Sequence, residues 1–324
     1  MNVNFRQLLG AFALGAMVPS LIMNISWKHS VGLDLPVQPT VDHVVLPEND
    51  GCFIPVLCQE DRVVFMDLDT YVVGVVLAEM PADFELEALK AQAVVARTYA
   101  LKRQEEGSRH PQGAVCIDPG CCQSYRSAED YLQAGGAKDS VDKVSGAVKA
   151  TSGQVLTYQG ALVEATYFSC SGGKTEDAAA VWGADVPYLQ SVVSSGEEDS
   201  PKYAKTVHLD KEELSALLGI ELQGKPSSWL GTATYTQGGG VATMVISEQS
   251  FTGIQLRSLL GLNSTQFVVT ADAQGLNITT FGHGHRVGMS QYGADAMAVS
   301  GCSYDEILLY YYQGTRIDKI DSLG

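Results

Sequence analysis

The sequence predicts an α+β fold, mixed helices and antiparallel sheets, preceded by one N-terminal transmembrane helix. Three observations carry this expectation. Leu68 to Leu101, LDTYVVGVVLAEMPADFELEALKAQAVVARTYAL, reads as a helix, a sharp break at Pro81 and a second helix. Two pairs of β-prone runs, Val155–Tyr158 with Ala161–Phe168 and Thr232–Thr236 with Val241–Ser247, are separated by short Gly-containing turns and read as hairpins. An apolar run from Leu8 to about Trp27, bounded by Arg6 and Lys28, has the length a helix needs to cross a bilayer.

Residues 1–28 are therefore a transmembrane anchor or signal segment. The absence of an Ala-x-Ala cleavage site near Trp27 favours the anchor, and both readings place residues 29–324 outside the cytoplasm. Residues 29–60, with prolines and little periodicity, read as a linker holding one short strand at His43–Leu46. Cys52 and Cys58 are close enough in sequence for a small-loop disulfide, which an oxidising compartment would preserve. The remainder, 61–324, reads as one extracytoplasmic domain.

That domain opens with a strand at Arg62–Met66. Asp67 or Asp69 caps a helix rich in β-branched residues, so burial rather than intrinsic propensity must hold it. Pro81 ends it, because the residue before a proline disfavours the α region. Asp83 caps a longer helix, about Phe84 to Gln104, which is apolar or small almost all round over Ala91–Ala96 and reads as buried. A Gly/Pro-punctuated loop, 107–126, precedes a single helix over 128–150. Asp210 with Glu213 forms a capping box, and Gly219 ends that helix. Gln255–Leu260 is a short helix, 266–280 holds strands, and Gly282 to Ala298 is a Gly-rich loop running into a helix. Ser303 with Glu306 caps the last helix, Tyr304–Tyr312.

The net charge of −16 argues against a nucleic-acid partner, whose phosphates such a surface repels. There is no P-loop and no dinucleotide fingerprint opening a βα unit. Seven cysteines leave at least one unpaired or metal-bound.

Glu79 is the first candidate for chemistry. It sits in the last turn of its helix, where the negative end of the helix dipole and the apolar neighbours Leu77 and Met80 favour the protonated carboxyl that a general acid needs. Arg97 lies mid-way along a buried helix, so its guanidinium must find a carboxylate or a ligand. His110, Cys116, Cys121 and Cys122 offer imidazole and thiolates suited to tetrahedral zinc; a Cys116–Cys121 or Cys116–Cys122 disulfide is the other reading. His283 and His285, with Asp295 or Glu176, are a weaker set for a catalytic metal, and a hydrogen-bonded histidine in a Gly-rich turn is the plainer reading. Tyr167, Trp182 and Tyr292 are rings that could stack on sugars.

Three blocks resemble the stage II sporulation protein D family of peptidoglycan lytic transglycosylases: YVVGVVLAEMPADFELEALKAQAVVARTYAL, then SCSGGKTED followed by VWG and PYL, then GHGHRVGMSQYGADAMA. They occur in the family's order over about Val63 to Gly314, and the third departs from the usual run GHGVGMSQYGA by an insertion of His285-Arg286 after Gly284. The resemblance implies a substrate groove with Glu79 as catalytic acid/base and Arg97 and Lys174 engaging the glycan. It implies a structural zinc on His110, Cys116 and Cys122, none being required for the chemistry.

The implied reaction cleaves the MurNAc–GlcNAc bond of peptidoglycan with 1,6-anhydroMurNAc formation during engulfment in sporulation. The implied partners are glycan strands stripped of stem peptides, a cell-wall amidase (the stage II sporulation protein P) and a membrane protein (the stage II sporulation protein M). A zinc-dependent cell-wall amidase using the histidines, and a non-catalytic glycan-binding module, are the alternatives.

Overall fold

The computed structural model describes residues 52–107 and 110–322. The expected anchor, most of the expected linker and the strand expected at His43–Leu46 lie outside the described residues. No helix among the described residues is long and apolar enough to cross a membrane.

Strand β1 (Phe53–Leu57) pairs antiparallel with β2 (Val63–Asp67) on one side. Its alternate side chains Ile54 and Val56 are fully buried, so the folded domain reaches back into what the sequence assigned to a linker. Cys52 and Cys58 flank this strand. Six extended steps hold them roughly 20 Å apart, far beyond disulfide reach, and the expected bond is not formed.

Helix α1 (Leu68–Glu79) starts where the Asp67 carboxylate accepts the Thr70 N–H at 2.9 Å. Its β-branched residues Val72, Val75 and Val76 are fully buried, so tertiary packing offsets their poor helix propensity. Met80, ahead of Pro81, is extended (φ −127°, ψ 137°) and ends the helix. Helix α2 (Leu86–Glu105) begins later than expected, and Asp83 is not its cap. The Glu85 N–H at its start donates instead to the Asp295 carboxylate at 2.7 Å, a partner 210 residues away. Ala88, Leu89 and every residue from Ala91 to Thr98 are buried, as the apolar pattern requires.

Strand β3 (Val115–Cys116) adds to β1 in parallel. The helix expected over 128–150 is two, α3 (Ala128–Gln133) and α4 (Lys138–Ala150). Gly135 and Gly136 break it, Gly135 taking φ 90°. Strands β4 (Gln154–Tyr158) and β5 (Ala161–Leu162) form the expected hairpin, with Gln159 (φ 53°) and Gly160 (φ 85°) making a turn of the mirror-image kind that matches strand twist. The second strand is short: β6 (Tyr167–Phe168) leaves it and pairs in parallel with Met289–Ser290. Helix α5 (Ala178–Trp182) is capped by Asp177 and closed by Gly183 in the left-handed region.

A second core follows. Strand β7 (Ala204–Asp210) leads into α6 (Lys211–Leu218), whose Asp210/Glu213 capping box forms as expected. Strands β8 (Leu230–Tyr235), β9 (Val241–Ile246) and β10 (Gln249–Thr252) make one antiparallel sheet. Helix α7 (Gly253–Leu259) follows, and β11 (Phe267–Ala271) and β12 (Gly275–Phe281) join β7 in another sheet. Leu214, Trp229, Phe251, Leu256, Phe267 and Leu276 fill the space between. The chain then returns to the first core through β13 (Met289–Ser290), α8 (Gln291–Val299), α9 (Tyr304–Tyr311) and β14 (Arg316–Lys319), the last pairing with β4.

Candidate active site

Glu79 is the last residue of α1 and lines a groove of about 1000 Å³. A backbone segment, 123–126, is laid along the outside of α1 and fixes this carboxyl. Tyr125 stacks on Tyr71, ring centres 5.7 Å apart, and fits only because Gly74 has no Cβ, which would strike the Tyr125 ring. The Arg126 N–H donates to the Gly74 carbonyl at 3.0 Å. Held in this way, the Ser124 N–H donates to Glu79 Oε1 at 2.6 Å. The Tyr167 hydroxyl is within bonding reach of Glu79 and donates to Gln123 Oε1 at 3.0 Å. Burial pushes the Glu79 carboxyl above its ordinary value, and the bonds from Ser124 and Tyr167 oppose that rise without cancelling it.

The other groove carboxylate, Glu164, is ion-paired with Arg103. Arg103 in turn pairs with Glu106 at 2.8 Å and lies over the Tyr99 ring. On another wall the His285 ring sits 5.5 Å from Trp182 and 5.7 Å from Phe168. Its Nδ1 accepts the Val287 N–H at 3.1 Å, and burial pushes its pKa down to about 4, so the imidazole is neutral. The rings expected to stack on sugars, Tyr167, Trp182 and Tyr292, all line the groove.

Arg97 does not reach this groove. It is fully buried, pairs with Asp69 at 2.8 Å, and also donates to the carbonyls of Gln154 (3.2 Å) and Val148 (3.4 Å). The expected contact with a ligand is corrected to a tie between the start of α1, α2 and the α4–β4 connection. Lys174 is likewise outside the groove lining, its Nζ donating to the Gln237 carbonyl at 2.7 Å. Lys202 is the lysine that lines it, and neither Lys202 nor Arg103 stood in a motif that would have marked it.

The His/Cys loop does converge. The ligand atoms of His110, Cys116, Cys121 and Cys122 lie within 4.8 Å of one another, so Cys121 joins the three expected donors. Cys121 Sγ is 3.3 Å and Cys122 Sγ 3.6 Å from His110 Nε2. Tetrahedral zinc, with Zn–S about 2.3 Å and Zn–N about 2.0 Å, would need only a slight contraction of this set. Burial pushes the Cys122 thiol up to about 12, and a bound cation is what reverses such a shift. None of the seven cysteines is disulfide-bonded.

His283 and His285 do not gather the carboxylates proposed to join them. Asp295 accepts the Glu85 N–H, and Glu176 is paired with buried Arg286 at 3.4 Å. The supposed insertion is also corrected. Arg286 has φ 67°, the left-handed backbone natural to glycine. Gly284 to Gln291 therefore matches GHGVGMSQ position for position, with Arg286 standing in place of a glycine and nothing inserted.

The family model described as stage II sporulation protein matches residues 59–158. The chain is 42% identical to the stage II sporulation protein D of Bacillus subtilis (strain 168) over 260 residues, covering 79% of this chain and 75% of that protein. It is 40% identical to the stage II sporulation protein D of Bacillus amyloliquefaciens over 259 residues, with the same coverage, 79% and 75%. It is also 31% identical to an amidase enhancer of Bacillus subtilis (strain 168), covering 75% of this chain and 40% of that protein. A catalytically suited groove carboxyl and matches of this length lead to one assignment: the chain belongs to the stage II sporulation protein D family.

Proposed function

We propose that this sporulation protein is a peptidoglycan lytic transglycosylase that cuts MurNAc–GlcNAc bonds during engulfment, its catalytic domain outside the cytoplasm on an N-terminal membrane anchor. One observation carries the reading: Glu79 is a desolvated carboxyl lining a groove of about 1000 Å³, while the other groove carboxylate, Glu164, is tied to Arg103. Hydrolysis of a glycoside usually uses two carboxyl groups. Transglycosylation onto the substrate's own hydroxyl uses one.

In the proposed cycle Glu79 gives its proton to the oxygen linking MurNAc to GlcNAc, and the C1–O bond breaks with oxocarbenium-like charge on C1. The carboxylate left behind is stabilised by the Ser124 N–H, and by the Tyr167 hydroxyl once it turns its single proton from Gln123 Oε1 to Glu79, which opposes the desolvation that kept it protonated. Glu79 then takes the proton of the MurNAc 6-hydroxyl as O6 bonds to C1. The product is a 1,6-anhydro sugar, no water is consumed, and the carboxyl is reset. Proton transfer by a positioned acid/base contributes roughly 10²–10⁴-fold, and holding O6 within one bound ring adds an effective-molarity gain.

His110, Cys116, Cys121 and Cys122 would hold a zinc ion, whose role when bound is to staple the loop 110–122 rather than to take part in proton transfer. That loop runs directly into Ser124, so its order bears on Glu79. The amidase-enhancer relative supports a cell-wall setting, and an amidase that strips stem peptides and a membrane protein of the engulfment machinery are the proposed partners.

The test is mass spectrometry of products from isolated glycan strands and the full-length chain. Fragments one water lighter than hydrolytic products, lost with Glu79→Gln, support the reading. Hydrolytic fragments would establish a glycosidase instead, and strand binding without fragments a binding module.

A further inference from the structure

We propose that Arg103 decides the outcome of the reaction: by holding Glu164 it keeps the second groove carboxylate from activating water, and so confines cleavage to ring closure by the substrate's own hydroxyl. This rests on the transglycosylase reading. Both side chains line the groove. Arg103 sits in the last turn of α2, and Glu164 lies between β5 and β6. The segment that carries Glu164 also carries Tyr167, whose hydroxyl is within bonding reach of Glu79. Three steps of chain put Glu164 and Tyr167 at most about 11 Å apart. The Thr166 N–H shortens that span by donating to the Glu164 carbonyl at 3.0 Å. On the α2 side, Tyr99 lies one turn before Arg103, its ring 5.0 Å from the guanidinium, and within electrostatic reach of Tyr167. Both ends of the ion pair are thus linked to the residue that contacts the acid.

Among the described residues Glu164 is ion-paired with Arg103 alone, whereas Glu106, the other carboxylate on Arg103, also has Lys102 at 3.4 Å. Burial by itself lowers the Arg103 pKa; the charge of Glu164, with those of Tyr99 and Glu106, more than reverses this and keeps the guanidinium charged. The Arg103 Nε is shut off from solvent and has no acceptor, an unmet donor that makes the pair a poor source of stability. The pair does, however, engage a Glu164 oxygen with a permanent cation. A general base needs that oxygen free. Without the cation Glu164 is a partly exposed, unpaired carboxylate on the groove lining. Glycosidases that invert configuration use such a group beside the acid, to activate water. In the freed groove Glu79 still protonates the linking oxygen and the C1–O bond breaks. The oxygen of a water molecule then bonds to C1 in place of O6, one of its protons passing to Glu164. The product is a reducing MurNAc end, one water is consumed, and the proton on Glu164 returns through solvent to Glu79. Arg103 closes that branch.

The test is the partition between anhydro and hydrolytic products when full-length chains cut isolated glycan strands in heavy-oxygen water, read by mass spectrometry. The parent should give anhydro ends without label. Arg103→Met and Arg103→Gln should raise the ratio of labelled reducing ends to anhydro ends by about tenfold or more, since a positioned base contributes roughly 10²–10⁴-fold. Arg103→Lys, which keeps a cation for Glu164, should stay close to the parent. Adding Glu164→Gln to either neutral variant should remove the labelled product and leave the anhydro product. A purely structural pair would change the amount of product and not this ratio. Unlabelled anhydro ends alone from both neutral variants, or label that survives Glu164→Gln, overturns the proposal while the transglycosylase reading stands. Failure of both neutral variants to fold, with Arg103→Lys folded, would assign the pair to stability and also overturn it. Labelled reducing ends from the parent would refute the transglycosylase reading itself.

Discussion

The Ser124 N–H meets Glu79 Oε1 at 2.6 Å, so a loop residue and the end of a buried helix share the control of one proton. Because burial raises the Glu79 pKa, the folded chain holds this proton more tightly than the unfolded chain does. The stability it brings is complete below the ordinary carboxyl pKa and falls as pH rises toward the raised folded value. Each tenfold weakening of the acid corresponds to about 1.4 kcal/mol. Glutamine keeps an oxygen for Ser124 and never ionises. Glu79→Gln should therefore raise the melting temperature at pH 7, and the gain should shrink to nothing below about pH 4. Calorimetric scans across that range check it; a variant less stable than the parent at neutral pH would show that the carboxyl is not desolvated.

The same shift sets the pH dependence of turnover. A general acid must be protonated when substrate binds, so the alkaline limb of kcat/KM should lie above the ordinary glutamate range. The rise is opposed by the Ser124 N–H, the Ser124 hydroxyl and the Tyr167 hydroxyl. Tyr167→Phe removes a bond that favours the ionised form and should move the limb further up, with a fall in rate because the carboxylate is less well held in the second step. A limb that moves down would overturn the assignment.

Arg97 yields a prediction of the opposite kind, about folding rather than substrate. Its guanidinium is fully buried against Asp69 and three carbonyls, including that of Ala93. Arg97→Met should cost about 3 kcal/mol in urea unfolding, reduced to the extent that partly exposed Asp69 regains water. The folded fraction should bind glycan as tightly as the parent. A large loss of affinity in a variant of undiminished stability would return Arg97 to the groove.

These contrasts show which parts of the molecule are legible in the sequence. The Asp67 cap, the Asp210/Glu213 capping box and the Gln159-Gly160 turn are all written in neighbouring residues, and all form. Gly135 and Gly136 were visible too, yet the apolar spacing on either side masked the break they cause. What could not be read were relationships made only by packing. The Glu85 N–H finds Asp295, Tyr167–Phe168 pairs in parallel with Met289–Ser290, and the segment around Ser124 lies on α1 through a missing Cβ at Gly74. The position of Glu79 at a helix terminus was local information. The side of α2 on which Arg97 faces depends on where α1 crosses it, and no periodicity in an almost uniformly buried helix could reveal that.

The four-donor loop makes a prediction that needs no activity measurement. Zinc held by His110, Cys116, Cys121 and Cys122 should be recovered at about one ion per chain by elemental analysis. Chelation should lower the melting temperature, and zinc restore it. Cys121→Ser should weaken retention by tenfold or more if this thiol completes the tetrahedron. Unchanged retention would assign the site to the other three donors.

Arg286 offers the sharpest test of how the groove wall is held. Its side chain is fully buried against Glu176, itself 1% exposed, and donates to the carbonyls of Ser171, Lys174 and Gly238. Three loops thus meet on one guanidinium, next to His285. The arginine occupies a left-handed backbone conformation that costs roughly 1–3 kcal/mol for a residue with a Cβ. Arg286→Gly relieves that strain but leaves a buried carboxylate unpaired, a loss of about 3–5 kcal/mol. The single substitution should therefore destabilise, although glycine is the better residue for the backbone. Adding Glu176→Gln should recover most of the loss, because the amide carries no charge and can still accept from the Gly240 N–H, now 2.9 Å from Glu176 Oε1. Urea unfolding of the two singles and the double gives the coupling energy directly. Additive losses would mean that Arg286 and Glu176 are held independently and that the wall has another support.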